Sequence, residues 1–248
     1  MMTKKIHYLH FDTIDSTNTW TKQNAATLDP DLLTCITATE QTAGRGRFRR
    51  RWVSGRGENI TATFFFTVAK DSPILANVGQ ALSLSCAHVL EQHGFSPQIK
   101  WPNDLFISGK KMAGILCETV PLPDRLGIVL GIGINVNMPG DLLATIEQPA
   151  TSLAHLSGRT WDLDQILEPL LQRFCDDLAL LESEGFIPFQ QAYEKLLAFR
   201  GEPVTCTDGL QMIRGICHSV NKEGRLNLLL PSGKVMTLSA GEMKTSSS

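Results

Sequence analysis

The chain has 248 residues, of which 42% are hydrophobic and 19% charged, and its formal net charge at pH 7 is −2. This balance argues against a general nucleic-acid-binding protein, because neutralising many phosphates requires a basic excess. No apolar run approaches the ~20 residues that cross a bilayer, and no signal-peptide-like segment opens the sequence, so we expect a cytoplasmic protein without membrane contact.

Hydrophobic patterning predicts strands and helices up to about residue 198. Predicted strands cover residues 5–11, 35–40, 60–68, 99–101, 105–107, 110–118 and 125–136, and predicted helices cover residues 19–26, 74–93, 163–184 and 187–197. The strands are rich in β-branched and aromatic residues, and the helices have apolar residues at helical spacing. Hairpins beside long helices indicate a mixed β-sheet flanked by helices in a domain of residues 1–198.

The pattern changes after residue 199. Short strands are predicted at residues 204–206, 212–219, 226–230 and 235–239, separated by the turn pairs Asp208-Gly209, Glu223-Gly224 and Ser232-Gly233. This indicates a small β module of residues 199–244. Because it is too short to be expected to fold on its own, we expect it to dock on the main domain. We expect residues 245–248 to form a disordered tail.

The cysteines and histidines give no sign of a disulfide framework or a structural metal. None of the six cysteines has C-x-x-C spacing, so we expect reduced, mostly buried thiols. His7 and His10 fall in a predicted strand and would point to opposite faces, which argues against a shared metal ion.

Residues 44–52 place five arginines and two glycines before Trp52. Glycine lets the backbone approach a ligand closely, and a guanidinium matches the oxygens of a phosphate or carboxylate. The stretch predicts a mobile cationic loop that closes over an anion. A solvated basic loop or a nucleic-acid patch is the alternative interpretation. Trp52 offers a planar face for a base, although a core tryptophan is the common alternative.

Two polar segments are candidates for binding a small head group. Residues 15–18 read Asp-Ser-Thr-Asn, which is typical of a helix N-cap and also supplies hydroxyls and an amide to a ligand. Gln41 both donates and accepts hydrogen bonds.

Lys100 lies next to a Trp-Pro pair, where a held ammonium can neutralise a carboxylate or phosphoryl oxygen. Asp104 is either a Mg²⁺ ligand or a turn aspartate.

The segment Gly131-Ile-Gly133-Ile-Asn135 puts both glycines and the asparagine on one face of a predicted strand. That face would be open to a flat ligand such as adenine, and Asn135 could pair with an adenine edge. The spacing differs from the dinucleotide fingerprint G-x-G-x-x-G, and the chain has no P-loop.

Five strings occur in one order along the chain: DSTN, EQTAGRGR, KWPNDL, KKMAGIL and GIGINVN. With them the chain closely resembles the biotin–protein ligase family. The resemblance implies an α+β fold, with a class II synthetase-like catalytic domain and a small C-terminal SH3-like barrel. Because the motifs begin by Asp15, it also implies a monofunctional ligase without the N-terminal DNA-binding domain of some members, and hence no DNA binding.

The resemblance implies a role for each candidate residue. Lys100, Arg45 and Arg47 would be catalytic. The biotin site would contain Ser16, Thr17, Asn18, Gln41, Gly44, Arg45, Gly46, Arg47, Lys100 and Gly114. The ATP or adenylate site would contain Trp52, Lys111, Gly131, Gly133 and Asn135, with Asp104 as a Mg²⁺ ligand.

The implied substrates are biotin, ATP with Mg²⁺, and the biotin carboxyl carrier protein of acetyl-CoA carboxylase or a related carboxylase. Pairing of an edge strand of the main sheet would allow a homodimer. A lipoate–protein ligase of the same fold and a nucleic-acid-binding regulator are the alternative functions. Arg49 departs from the family, which commonly has a glycine at this place in the loop, and we expect it to stiffen the loop.

Overall fold

A seven-stranded mixed sheet forms the centre of the main domain. The computed structural model describes residues 5–207 and 211–245. The strands are β1 (Ile6–Ile14), β2 (Leu33–Gln41), β3 (Asn59–Val68), β4 (Pro97–Lys100), β5 (Asp104–Ile107), β6 (Lys110–Pro121) and β7 (Leu126–Asn135). Their order is β1-β2-β3-β7-β6-β5-β4. The β1–β2 pair is parallel and the other neighbours are antiparallel, which confirms the predicted mixed sheet.

Helices cover both faces of this sheet. They are α1 (Thr17–Asn24), α2 (Val78–Gln92), α3 (Gly140–Leu143), α4 (Leu153–Ser157), α5 (Asp164–Glu184) and α6 (Ile187–Lys195), with 3₁₀ turns at Ala25–Thr27, Arg47–Arg49 and Pro73–Ala76. The sequence predicted neither α3 nor α4. Among the described residues, no helix has the length and apolar character needed to cross a membrane.

Strand β3 is buried along its whole length, with one apolar face and a second face that carries buried threonines beside Phe65. Phe64 and Phe66 pack against Phe174 of α5, with ring centroids 5.5 and 6.2 Å apart. Phe65 points to the other face, where it joins a smaller apolar cluster beside α1 with Val129. The central strand therefore anchors both helical layers, as the burial of large aromatic side chains favours.

A second sheet follows the helices. Its strands are β8 (Pro203–Thr207), β9 (Met212–Val220), β10 (Leu226–Leu229), β11 (Val235–Leu238) and β12 (Glu242–Thr245), in the antiparallel order β11-β10-β9-β8-β12. The sequence did not predict β12, which reaches Thr245, the first residue of the expected tail. Residues 246–248 and the predicted Asp208-Gly209 turn lie outside the described residues.

The β9–β10 turn docks the C-terminal module on the main domain. The carbonyl oxygen of Gly224 accepts hydrogen bonds from Trp101 Nε1 at 3.1 Å and Gln80 Nε2 at 2.8 Å. The neighbouring carbonyl of Glu223 accepts from Asn77 Nδ2 at 2.9 Å. Gly224 has φ +72, and a Cβ there would overlap the Asn77 and Gln80 amides. Only glycine fits both the backbone conformation and the close approach.

We predict that Gly224→Ala lowers the free energy of unfolding by about 3 kcal/mol. A positive φ costs roughly 1 kcal/mol in an alanine, and the loss of buried hydrogen bonds adds about 2 kcal/mol. The measurement is urea unfolding followed by intrinsic fluorescence. Gly233→Ala is the matched control, because Gly233 has φ +79 and no atom within 4 Å of its added Cβ. Equal losses in the two variants would contradict the docking role.

Candidate active site

One cleft gathers almost all of the predicted site residues. It lies beside the glycine-bearing strand β7, between the start of α1, the arginine-rich loop of residues 44–52 and the β4–β5 corner. The predicted residues that line it are Ser16, Thr17, Asn18, Gln41, Arg45, Gly46, Arg47, Trp52, Lys100, Asp104, Lys111, Gly114, Gly131, Gly133 and Asn135. Gly44 is outside this lining: its carbonyl accepts from Trp52 N at 2.9 Å, and it packs on the Trp52 backbone.

A hydrogen-bonded polar cluster forms one end of the cleft. Gln41 Oε1 accepts from Thr17 N at 2.8 Å and from Thr17 Oγ1 at 3.2 Å. Thr63, which the sequence did not single out, donates to Asn18 Oδ1 at 2.7 Å and lies 2.8 Å from Thr17 Oγ1. Ser16 caps α1 by accepting from Thr19 N. The side chains are therefore oriented before any ligand arrives.

The two glycines of β7 accommodate protein side chains, which corrects the prediction of a face open to adenine. A Cβ at Gly131 would overlap the Asn18 carboxamide, and a Cβ at Gly133 would overlap the Trp52 indole. The glycines do share one face, as the spacing predicted, because their β3 partners are Thr63 and Thr61. The space they leave positions Asn18 and Trp52 beside the cleft.

Asn135 does not present a free amide edge. The side chain is 1% exposed. Its Nδ2 donates to Thr151 O at 3.0 Å, and its Oδ1 accepts from Asn59 Nδ2 at 3.0 Å. Trp52 differs, because its buried indole Nε1 has no hydrogen-bond partner among the described residues. An unsatisfied buried donor is costly, so a ligand acceptor at this point would stabilise the site.

The two lysines of the cleft have different environments. Lys111 Nζ forms an ion pair with Asp104 Oδ2 at 2.8 Å. The Lys100 ammonium has no hydrogen-bond or ion-pair partner in the described part of the chain, and it lies 5.4 Å from the centroid of the Phe106 ring. Burial lowers the pKa of Lys100, with Asp104 opposing and Lys111 adding to the shift. A partly desolvated, unpaired cation is suited to meet an anionic substrate.

Asp104, the predicted Mg²⁺ ligand, already has a partner in the free protein. The carboxylate is neutralised by Lys111. The described residues contain no group of three or more His, Cys, Asp or Glu side chains placed to hold a metal ion. A protein-built Mg²⁺ site would need at least one free carboxylate at the end of the cleft that contains Lys100.

The arginine-rich loop is held by contacts with distant parts of the chain. Arg47 donates from Nη1 to Asn103 Oδ1 at 2.8 Å and from Nη2 to Gly241 O at 3.0 Å. Arg50 forms a two-point ion pair with Glu242, at 2.5 and 2.9 Å. The C-terminal module thus fastens the loop beside the cleft, and Glu242 is itself part of the lining.

The tip of the loop has a strained backbone. Phe48 and Arg49 have φ values of +55 and +60, in the left-handed region that side chains other than glycine rarely adopt. The Phe48 ring is 60% exposed, with the guanidinium carbons of Arg47 and Arg50 at 5.0 and 5.9 Å from its centroid. The glycine common in the family would adopt this turn freely, whereas Arg49 restricts it.

Sequence reasoning missed lining residues far from the five motifs. They are Ile146, Gln148 and Ala150 before α4, and Glu242 and Met243 at β12. The 146–150 segment has no periodicity, and it is brought to the cleft by backbone hydrogen bonds between Lys111 and both Pro149 and Thr151. Asn103 lies within the KWPNDL motif but was not predicted as a site residue. Its position between two predicted strands was the only sequence feature that could have indicated its role.

We predict that Glu242→Gln destabilises the protein in a pH-dependent way. Burial raises the pKa of Glu242, but the hydrogen bonds and charge of Arg50 outweigh it, and the pKa is lowered from 4.5. The carboxylate therefore contributes stability above about pH 4.5, and this contribution is lost as the pH falls through the folded-state pKa. The gap between wild type and Glu242→Gln, about 1 kcal/mol at pH 7, should shrink in acid.

The measurement is urea unfolding of both proteins between pH 3.5 and 8. Asp31→Asn is the control, because the Asp31 side chain is 75% exposed in its ion pair with Arg125. An exposed pair contributes little, so this control should show a small gap at every pH. A Glu242→Gln gap that does not change with pH would contradict the ion-pair interpretation.

Comparison with known proteins identifies relatives over nearly the whole chain. A model of the Biotin/lipoate A/B protein ligase family matches residues 10–135. The bifunctional ligase/repressor BirA of Escherichia coli is 32% identical over 232 residues, which cover 93% of this chain and 71% of BirA. The biotin–[acetyl-CoA-carboxylase] ligase of Paracoccus denitrificans is 32% identical over 211 residues, covering 80% of this chain and 85% of that protein.

Solved structures agree in fold. The biotin protein ligase from Aquifex aeolicus in complex with biotin and ATP has a TM-score of 0.80 at 27% identity, covering 96% of this chain and 97% of that chain. The likeness extends over both the seven-stranded sheet and the C-terminal module. On these matches, the chain belongs to the Biotin/lipoate A/B protein ligase family.

Proposed function

We propose that the chain is an ATP-dependent ligase that forms biotinyl-5′-AMP and transfers the biotinyl group to a lysine of a biotin carboxyl carrier protein. The cleft carries this proposal, because it joins a fixed polar cluster at Thr17 and Asn18 to a cationic end at Lys100 and Arg47. A ureido head group needs donors and acceptors, and an acyl phosphate needs positive charge. The Paracoccus ligase and the biotin- and ATP-bound Aquifex structure support these substrates.

In the first step, a carboxylate oxygen of biotin attacks the α-phosphorus of ATP, and pyrophosphate leaves with the bonding electron pair. The protein's task is to bring two anions together and to neutralise the developing charge. The unpaired Lys100 ammonium is suited to lie between the carboxylate and a phosphoryl oxygen. Arg47 adds positive charge to the cleft, Lys111 is paired with Asp104, and no side chain has to become covalently attached to the substrate.

In the second step, the ε-amine of the carrier lysine attacks the acyl carbon, AMP leaves and the amine loses a proton. Water would hydrolyse the same mixed anhydride, so the intermediate has to be shielded until the carrier arrives. The loop held by Arg47 and Arg50 is the shield. It has to open for the acceptor lysine, as active-site loops commonly do.

The remaining components of the proposal concern metal, assembly and compartment. Mg²⁺ would enter with the triphosphate of ATP, since Asp104 is paired with Lys111. A homodimer would use β1, which is the outer strand at one edge of the sheet. The free cysteines, five of them buried, suit a reducing cytoplasm.

The nucleic-acid alternative loses support from the loop's contacts. Arg45, Arg47 and Arg50 are bonded to protein groups. A surface that reads a phosphate backbone keeps such side chains available to solvent. Arg49 and Arg51 alone would leave a small patch.

The test is an assay of the protein with ATP, Mg²⁺, biotin and a purified biotin carboxyl carrier domain, read by the intact mass of the carrier. A gain of one biotinyl group, absent when the acceptor lysine is replaced, is the expected result. Pyrophosphate release on adding biotin, without a mass gain of the carrier, would support the activation step and reject this carrier as the acceptor. Neither signal, with a gain when lipoate replaces biotin, would establish the lipoate alternative.

We predict that Arg47→Ala releases biotinyl-5′-AMP at least tenfold faster than the wild type. The substitution removes the bonds to Asn103 and Gly241 that hold the loop, so the intermediate is exposed to water. The measurement is filter-based separation of free and bound adenylate over time. Arg125→Ala is the control, because it removes an exposed arginine paired with Asp31. Equal adenylate half-lives in all three proteins would reject the shielding role.

A further inference from the structure

Glu118 of β6 is a carboxylate at which three separate elements meet. Its Oε1 lies 2.8 Å from Lys22 Nζ of α1. The guanidinium of Arg45, in the loop, approaches both carboxylate oxygens at 3.3 and 3.4 Å. Asn18 Nδ2 donates to Oε2 at 3.2 Å. The side chain is 17% exposed and follows the KKMAGIL motif, yet it does not line the cleft.

The contact with Asn18 determines which way the Asn18 carboxamide faces. Its Nδ2 donates to Glu118 Oε2 and to Leu116 O, at 3.2 and 3.3 Å. Its Oδ1 accepts from Thr63. A carboxylate only accepts, so the amide nitrogen has to face Glu118. The flipped carboxamide would place its oxygen against both a carboxylate and a carbonyl.

The contact with Arg45 joins the same carboxylate to the cationic loop. Burial raises the pKa of Glu118, but hydrogen bonds from Lys22 and Asn18 and the charge of Arg45 outweigh it, and the pKa lies below its usual value. The group is therefore negative at neutral pH. The Arg45 distances are longer than those of a short hydrogen bond, and Arg45 is 41% exposed, so this tether is adjustable.

We propose that Glu118 is a positioning residue, which couples the Asn18 carboxamide of the polar cluster to Arg45 of the arginine-rich loop. A chain of polar contacts runs from Gln41 through Thr17, Thr63 and Asn18 to Glu118. Through it, the geometry of the head-group end is linked to the position of the loop. The consequence for biotin binding rests on the proposed function, whereas the tether on Arg45 is a property of the free protein.

The first experiment needs no substrate. The loop contains five arginines, so trypsin reports its freedom directly. In Glu118→Gln the ion pair with Arg45 is lost. Cleavage after Arg45, measured from the masses of the fragments, should therefore be about fivefold faster than in the wild type. Asp31→Asn is the matched carboxylate-to-amide control, at an exposed ion pair with Arg125, and should match the wild type.

The second experiment measures pyrophosphate release against biotin concentration. Glu118→Gln should raise the KM for biotin about tenfold while kcat changes less than threefold, because the misoriented Asn18 carboxamide weakens head-group binding, whereas the Lys100 ammonium keeps its environment. A positioning role through Arg45 also predicts non-additivity. In adenylate retention, Glu118→Gln combined with Arg45→Gln should be no worse than Arg45→Gln alone.

These outcomes separate the proposal from a merely structural role. Unchanged cleavage after Arg45 and an unchanged KM would overturn it, as would a lower kcat with an unchanged KM and reduced unfolding stability. Glu118→Asp, which keeps the charge and shortens the reach, serves if the glutamine variant does not fold, and should show the same changes at smaller size. If the wild type releases no pyrophosphate with biotin, the proposed function fails, and the trypsin result still decides the tether.

Discussion

Holding a strongly cationic loop beside one cleft is the constraint on which the rest of the structure depends. Arginines crowded into a short segment repel one another, and the repulsion has to be offset before a substrate anion arrives. The fold supplies two carboxylates from separate strands: Glu118 on β6 meets Arg45, and Glu242 on β12 meets Arg50. Each lies on a regular strand, so the loop is positioned by rigid elements. The cleft itself keeps the Lys100 ammonium unpaired, and positive charge remains available where we propose that phosphate chemistry occurs.

This arrangement makes the C-terminal module part of the site, although it is distant in sequence. The β9–β10 turn docks through Gly224 on the indole of Trp101, which directly follows Lys100. The same module presents Gly241 and Glu242 to the loop. Two separate sets of contacts therefore fix the module's position. Loosening the turn should shift both the lysine strand and the loop, because rigid packing transmits such changes.

The sequence predicted the mixed sheet, its long helices and the gathering of the motifs, because strand composition and helical spacing are local signals. It missed α3, α4 and β12, which are short and weakly patterned. It also predicted an open glycine face, where the structure places Asn18 and Trp52. Glycine spacing shows that something approaches the strand closely, but whether a ligand or a side chain does so depends on contacts between distant segments. The wrong prediction of a free Asn135 amide has the same cause, since the partners of this amide lie in separate segments of the chain.

The two ends of the cleft differ in rigidity, and a two-step reaction needs that difference. The polar cluster at Thr17, Asn18 and Gln41 is built from hydrogen-bonded side chains on or beside regular elements, so the proposed head group would bind there without reorganisation of these side chains. The phosphate end depends on a loop with partly exposed ion pairs and a left-handed turn at Phe48 and Arg49. Backbone strain of this kind is common in segments that move, so the loop is the part of the cleft that we expect to open. The head group can then stay bound while the loop admits the acceptor lysine.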